Sequence, residues 1–454
     1  LPGKQVHSDS MTKGARKYIS ERTEELLPTK NNNVEISQSL AKGGLSEAWG
    51  SACCLFDQEE LEQVGIPYKD MKKHYQTVID RIGVSGASST FKIQPLPRLD
   101  HHGRRIISKY LGKKLNFGRF ELQPAMLAML TQPIGKRNPI NYDDLDYSLN
   151  RGGAIYRSRF TVEEMQSKKN FSYLPNYIVE KFETKKGLTT VYATGFDKKK
   201  VKFTAKYVVV AAGSLNTNRI LLKSFNLFNT KVPFIIKKHT LIPCLNISSL
   251  GKAGDKKRFS LCQLFIYDKL KNNGVSKSFT QIYSYKSLML FKLLEYSPLP
   301  APEALSILSM FTPSTLIADV RFPSFSENET TLSLNKDNLG KEFIKIDNKS
   351  KSNNKNDSST LRKIKWFLFR LGLVPIKTID TPFGSTAHYA GGVPFSSSPS
   401  KVLSTDESGR LHQNPNIFIA DASTWKALPP KPPALTIMAN ADRIGNIVAK
   451  EAKN

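Results

Sequence analysis

The sequence predicts an α/β chain: a parallel, helix-flanked sheet joined to an α+β part built on an antiparallel sheet. Three observations carry this. Tyr207-Val208-Val209-Val210-Ala211-Ala212-Gly213-Ser214 is a β-branched run followed by small residues, which suits a buried parallel strand turning tightly into a helix at Asn218 to Phe225. Ile417-Phe418-Ile419-Ala420 is a second apolar strand, ending at Asp421, and Leu435 to Lys450 follows as a helix with one apolar stripe. Residues 226–345 instead alternate short apolar runs with turn residues, as antiparallel strands do.

The remaining elements follow in order. Residues 1–35 are polar and read as loop. Ala41 to Gly50 contains Gly43-Gly44, where backbone can approach a ligand closely. Asp57 to Val64 is helical in composition, and Tyr68 to Ile82 reads as an amphipathic helix with Met71, Tyr75, Val78, Ile79 and Ile82 on one face. Residues 95–175 mix short helices and loops. Leu174 to Glu183 and Thr189 to Phe196 form a strand pair around Lys185-Lys186-Gly187, with Val201 to Ala205 as a third strand. Residues 346–358 are low-complexity and read as a mobile loop. Leu361 to Leu373 is an amphipathic helix; packing on the core is its ordinary role, and its basic flanks Lys363, Lys365 and Arg370 also suit a peripheral contact with an anionic membrane.

Composition narrows the function classes. With 454 residues, the chain can fill two or three domain-sized units. No run of eighteen apolar residues occurs, so a transmembrane helix is not expected. The formal charge of +28 favours anionic partners, but the lysines lie in loops such as Lys198-Lys199-Lys200. No zinc-finger spacing or aromatic RNA-binding motif accompanies them, which argues against nucleic acid. Cys53, Cys54, Cys244 and Cys262 form no CxxC, which argues against a disulfide scaffold and a metal site and fits a reducing cytoplasm. The chain opens on Leu1-Pro2-Gly3 with no apolar leader, so the expectation is a cytoplasmic protein whose chain has been cut or read from an incomplete reading frame.

Three places can carry chemistry. Asp421 ends a strand, where an acid can accept hydrogen bonds from ribityl or sugar hydroxyls; a turn-forming Asp with Ser423 as a cap is the alternative. The helix from Leu435 starts after Pro432-Pro433, and its free N–H groups can face an anion, although an ordinary amphipathic helix explains them too. His388 sits between Phe383-Gly384-Ser385 and Gly391-Gly392, where an imidazole can act as a general base or serve a structural role.

From about Leu40 to Ala449 these residues, in this order, resemble the glucose–methanol–choline (GMC) family of flavin oxidoreductases. Gly43 to Gly50 is similar to the family's glycine motif against the flavin, and Tyr207 to Leu222 to its second flavin-domain segment. Thr386 to Gly391 is similar to its active-site histidine loop, and Asn416 to Ala441 to its terminal strand, Asp-x-Ser turn and helix. The histidine loop looks closest to bacterial members related to cholesterol oxidase and to enzymes of saccharide metabolism.

The resemblance implies an FAD-binding, glutathione-reductase-like Rossmann-type domain from residues 36–60, 174–225 and 400–454. Residues 61–173 and 226–399 are then the substrate or cap domain. It also implies an alcohol oxidase or dehydrogenase acting on a CH–OH group of a small molecule, a saccharide or a sterol-like alcohol, with oxygen or a quinone or carrier as electron acceptor. His388 is the implied base. Gly43, Gly44, Ser46, Trp49, Val179, Ala212, Gly213, Asp421, Ala422, Pro433 and Thr436 are the implied FAD contacts.

Two departures bear on this expectation. The family's opening strand–GxGxxG–helix is absent from the sequence, and the nearest pattern, Gly83-Val84-Ser85-Gly86, follows a helix. Pro432 stands where the family has His or Asn, and Lys431 beside it is the residue able to substitute. These departures support the alternative of a truncated or degenerate, non-catalytic relative with a binding role.

Overall fold

The computed structural model describes residues 14–112, 118–143, 149–250, 252, 255–284, 297–326, 330–349, 355–400 and 402–453. The elements that position the site, in chain order, begin with α1 (Tyr68–Ile82), α2 (His101–Gly112), β1 (Phe120–Pro124), β2 (Val208–Val210) and α3 (Ser214–Ser224). Next come β3 (His239–Leu245), β4 (Leu264–Asp268), β5 (Phe279–Ser284), α4 (Ala301–Phe311) and β6 (Thr315–Arg321). Then follow α5 (Lys355–Arg370), β7 (Val374–Pro375), β8 (Arg410–Leu411), β9 (Asn414–Ile419) and α6 (Ala434–Glu451).

The parallel pair forms as the sequence predicts. β9 runs parallel to β2, with Ile417 opposite Val208 and Ile419 opposite Val210. β8 lies on the other side of β9, giving the order β8-β9-β2. Ile417, Phe418 and Ile419 are fully buried, as a strand covered on both faces requires. The chain leaves β2 through Gly213 (φ 79°) directly into α3. α6 packs along α1, where His74 Nδ1 lies 2.8 Å from Asp442 Oδ2 and Tyr75 Oη 2.7 Å from Thr436 Oγ1.

The antiparallel sheet has the order β7-β3-β6-β5-β4-β1, and residues 379–380 also pair with β3. Register places Asp319 of β6 opposite Gln281 of β5, and Arg321 opposite His239 of β3. Because side chains alternate along a strand, these polar groups share one face with Tyr283 and Tyr267. A further sheet combines residues 29–31, 342–348, 330–336 and 232–233. Its Leu332, Leu334, Ile344 and Ile346 share a core with Val210, Ile417 and Ile419, behind the parallel strands. The three-stranded meander at 177–185, 188–195 and 200–205 turns at Lys186-Gly187, both with positive φ (49° and 76°), the geometry of a two-residue hairpin.

Three expectations need correction. Thr29–Asn31, read as loop, is a strand paired with residues 344–346; its polar side chains carry no pattern, and backbone pairing alone decides it. Of the residues expected to form a mobile loop, 346–358, residues 346–348 finish a strand and 355–358 open α5; 350–354 lie outside the described residues. Residues 301–311 fall within the predicted strand region but form α4, since a short apolar run rich in Ala, Leu and Met does not distinguish helix from strand.

All four cysteines are free and buried, and burial pushes the Cys54 and Cys244 thiols up to about 12. Among the described residues no helix is long and apolar enough to cross a membrane.

Candidate active site

His388 occupies a tight loop ahead of Tyr389-Ala390, reached through Ala387 in the left-handed region (φ 53°). Backbone bonds pin this loop. The His388 carbonyl accepts from Lys237 N–H at 3.2 Å, and His388 N–H donates to Thr386 Oγ1 at 3.3 Å. Gly391 N–H donates to the Ala422 carbonyl, and the Gly391 carbonyl accepts from Ser214 Oγ and Asn218 Nδ2. Gly392 (φ 112°) must be glycine here, because a Cβ would overlap the Asn218 amide. The His388 Nδ1 is sealed from solvent and has no partner among the described residues. Burial, then Lys237 and Arg321, push the imidazole well below its ordinary value.

Around this ring lies a charged cluster that sequence reasoning missed. Asp319 accepts a forked pair of bonds from Arg321 (Nε 3.0 Å, Nη2 2.8 Å) and lies 2.8 Å from His239 Nδ1. His239 Nε2 is 2.9 Å from Ser385 Oγ, in the His388 loop. Burial opposes ionisation of Asp319, but Arg321 and His239 outweigh it and hold the carboxyl well below the usual range. Lys237 is fully buried, and its Nζ donates to the Lys431 carbonyl at 2.6 Å. Burial and Arg321 push this ammonium well below its ordinary value. Lys237-Lys238-His239 reads in sequence as a basic surface run, so no sequence signal marks Lys237 as interior.

The neighbouring cation has another task. Lys431 Nζ binds Glu60 Oε2 at 2.6 Å and the Leu55 carbonyl at 3.2 Å. It is therefore held toward Glu60 rather than free beside Pro432. Lys237 reaches the start of α6 instead.

The other predicted positions fall into connected groups. Asp421 ties the two parallel strands' ends together: Oδ2 accepts from Gly213 N–H (3.0 Å) and Thr217 Oγ1, and Oδ1 from Ser423 N–H (2.9 Å). Burial raises its carboxyl while these donors oppose the shift. Ala212 N–H donates to Thr217 Oγ1, and Ala422 joins the set through Gly391. Gly43, Gly44 and Ser46 form a turn in which Ser46 Oγ donates to the Gly43 carbonyl at 2.6 Å. Trp49 Nε1 donates to the Tyr156 carbonyl at 2.7 Å. A Cβ on Gly50 would sit 3.7 Å from Tyr283 Oη, which brings this segment against the polar sheet face. Buried Glu47, not singled out in the sequence, anchors it through Tyr18 and Arg157. Pro433 is the N-cap of α6, and the Thr436 hydroxyl is taken by Tyr75. Val179 stands apart, on the meander at 177–185 that packs on α3.

The residues present suit a flavin dinucleotide. Gly44 and Gly213 have positive φ and open space where a side chain would stand. Asn218 Oδ1, Ser423 Oγ, Gln281 Nε2 and His388 Nδ1 are buried without partners among the described residues. Each such orphan costs about 1–3 kcal/mol unless something supplies the missing bond, and a polar ligand would do so.

A strand–Gly turn–helix beside a strand ending in an acid, with a polar sheet face and a half-buried imidazole near it, defines an α/β fold with a polar site. Residues 335–441 match the family model described as GMC oxidoreductase. The solved structure of pyridoxine 4-oxidase from Mesorbium loti matches with TM-score 0.62 over 96% of this chain and 91% of that one. At 11% identity the likeness is one of fold. No curated protein matches the sequence.

Proposed function

We propose that the chain oxidises the CH–OH group of a small-molecule alcohol, with FAD as cofactor and His388 as base. When bound, FAD supplies the acceptance of the hydride. Gly43, Gly44, Ser46 and Trp49 would hold it on one side, and Ala212, Gly213, Asp421 and Ala422 at the strand ends. Val179 would lie toward its adenine, and Pro433 and Thr436 at the start of α6. Oxygen or a quinone or carrier then takes the electrons.

The chain's own residues do the proton work. His388 accepts the hydroxyl proton at a ring nitrogen. Arg321, fixed in charge by Asp319, acts on the ring electrostatically, so it disfavours protonation of the resting imidazole and favours negative charge on the substrate oxygen. The observation that carries this reading is the loop-pinned His388, its Nδ1 sealed from solvent and unpartnered among the described residues.

The test is stopped-flow reduction of flavin-loaded protein by alcohols. His388→Ala is expected to slow reduction about 10²–10⁴-fold with flavin content unchanged. An unchanged rate would place the base elsewhere. A loaded protein that no alcohol reduces would favour the second reading, a non-catalytic binding role, which Pro432 and the capture of Lys431 by Glu60 support.

A further inference from the structure

The antiparallel sheet has an end remote from His388, and three connections meet there. Leu245, the last residue of β3, pairs with both Thr315 of β6 and Val374 of β7. α4 runs through residues 312–314 into β6, α5 runs through Leu371 to Leu373 into β7, and β3 leaves into the turn Ile247–Ser249. Strands in one sheet are about 4.8 Å apart, so these three connections start within about 10 Å of one another. Asn246 N–H donates to the Ser314 carbonyl at 2.8 Å. His102 of α2 fastens the junction, with Nε2 2.6 Å from the Pro313 carbonyl and Nδ1 3.0 Å from Asn246 Nδ2. A cavity of about 270 Å³ between Arg105, Lys109, Ile247 and Leu371 marks where α2, the turn and α5 converge.

What this end presents outward is apolar. α4 buries Ala304, while Leu305, Ile307, Met310 (59% exposed) and Phe311 face solvent. α5 buries Ile364, Phe367 and Leu368 against the sheet and exposes Trp366 (56%) and Phe369 (61%). Ile247 is 59% exposed and Leu111 stands out at the end of α2. Large exposed apolar side chains on connections that leave one end of a sheet mark an interaction surface.

Its flanks are basic. Arg105, Arg362 and Lys363 are exposed, Lys109 and Arg370 half-buried, and the Arg370 guanidinium lies over the Trp366 ring at 4.7 Å. On α2, α4 and α5 the acids are Glu303 and Asp357.

We propose that this face docks on an anionic lipid bilayer, with Trp366, Phe369, Met310 and Phe311 entering the headgroup boundary and the flanking cations meeting lipid phosphates. Aromatic and apolar side chains beside Arg and Lys match the two layers of such an interface. A second copy of this chain is disfavoured as occupant, because each carries a formal charge of +28 and the approaching rims are both basic. Docking leaves the site free: Leu245 and His239 are six residues apart on one strand, about 20 Å.

The test is vesicle flotation of the full chain, with sedimentation velocity alongside. The chain is expected to float with phosphatidylcholine vesicles containing about 30% phosphatidylserine, to stay behind with phosphatidylcholine alone, and to detach in high salt. The variants Trp366→Ser with Phe369→Ser, and Met310→Ser with Phe311→Ser, are expected to lower partitioning about tenfold or more without changing the melting temperature. Failure to float with anionic vesicles at low salt would overturn the proposal. So would variants that float as the parent does, since bulk charge alone would then bind. Self-association lost in the variants would assign the face to a second copy and overturn it as well.

Discussion

The two ends of the antiparallel sheet invert the usual sorting of side chains in opposite directions. At the His239 end, Asp319 and Lys237 are buried and Arg321 and His388 half-buried, so ionisable groups gather in and at the edge of the interior. At the Leu245 end, Trp366, Phe369 and Met310 put large apolar groups in water. Scattered exposed leucines mean little on any protein, whereas buried charge and gathered apolar exposure each carry a cost that ordinary folding does not need. The comparison teaches that function sits where the burial rule fails, and that the two failures ask for different partners.

The largest effect that could break this comparison is chemical. His388→Asn, equal in hydrogen-bonding capacity but unable to take a proton, should lose about 10²–10⁴ in the reduction rate of the flavin-loaded protein. If it does not, the buried end is structural. Next comes the cost of the charge cluster. Asp319→Ala strands Arg321 in the interior and should cost about 3–5 kcal/mol in urea unfolding. The double change Asp319→Leu with Arg321→Met should cost clearly less, because neither charge is then left alone.

A pH series sharpens the same point. The folded state resists protonating His388, whereas the unfolded chain takes that proton near its ordinary value of about 6.5. Stability should therefore fall as pH is lowered from about 7 to 5, and His388→Phe should flatten that slope. Asp319, held below the usual carboxyl range, adds a further loss starting near pH 4. The smallest effect belongs to the other end: Trp366→Ser and Phe369→Ser should each change stability by less than about 0.5 kcal/mol. A larger loss in calorimetry would mean that these rings already have a packing role.

Much of the fold was legible because its signals are local. Val208-Val209-Val210, Ile417-Phe418-Ile419 and the stripe of α6 announce themselves by β-branching and period. Asp57 is a helix cap with Glu60 three residues on, and the structure shows both bonds of that capping box. The loop bearing His388 was legible from its small neighbours. Its surroundings were not, because Lys237, Asp319 and Arg321 meet only through strand register, which a single sequence does not state. Glu47 escaped for a related reason: its partners Tyr18 and Arg157 lie 29 and 110 residues away. Thr29–Asn31 escaped because a polar strand at a sheet edge has no pattern of its own.

The cysteines described with the fold have a practical consequence. Cys53, Cys54, Cys244 and Cys262 are spread over the first half and the sheet, all sealed, with thiols far from ionising. Since only an accessible thiolate is alkylated, the native chain is silent to a maleimide or iodoacetamide and the opened chain is marked four times over. The protein therefore carries an internal recorder of its own opening, and mass shifts in a timed labelling experiment would read its unfolding rate without any added probe.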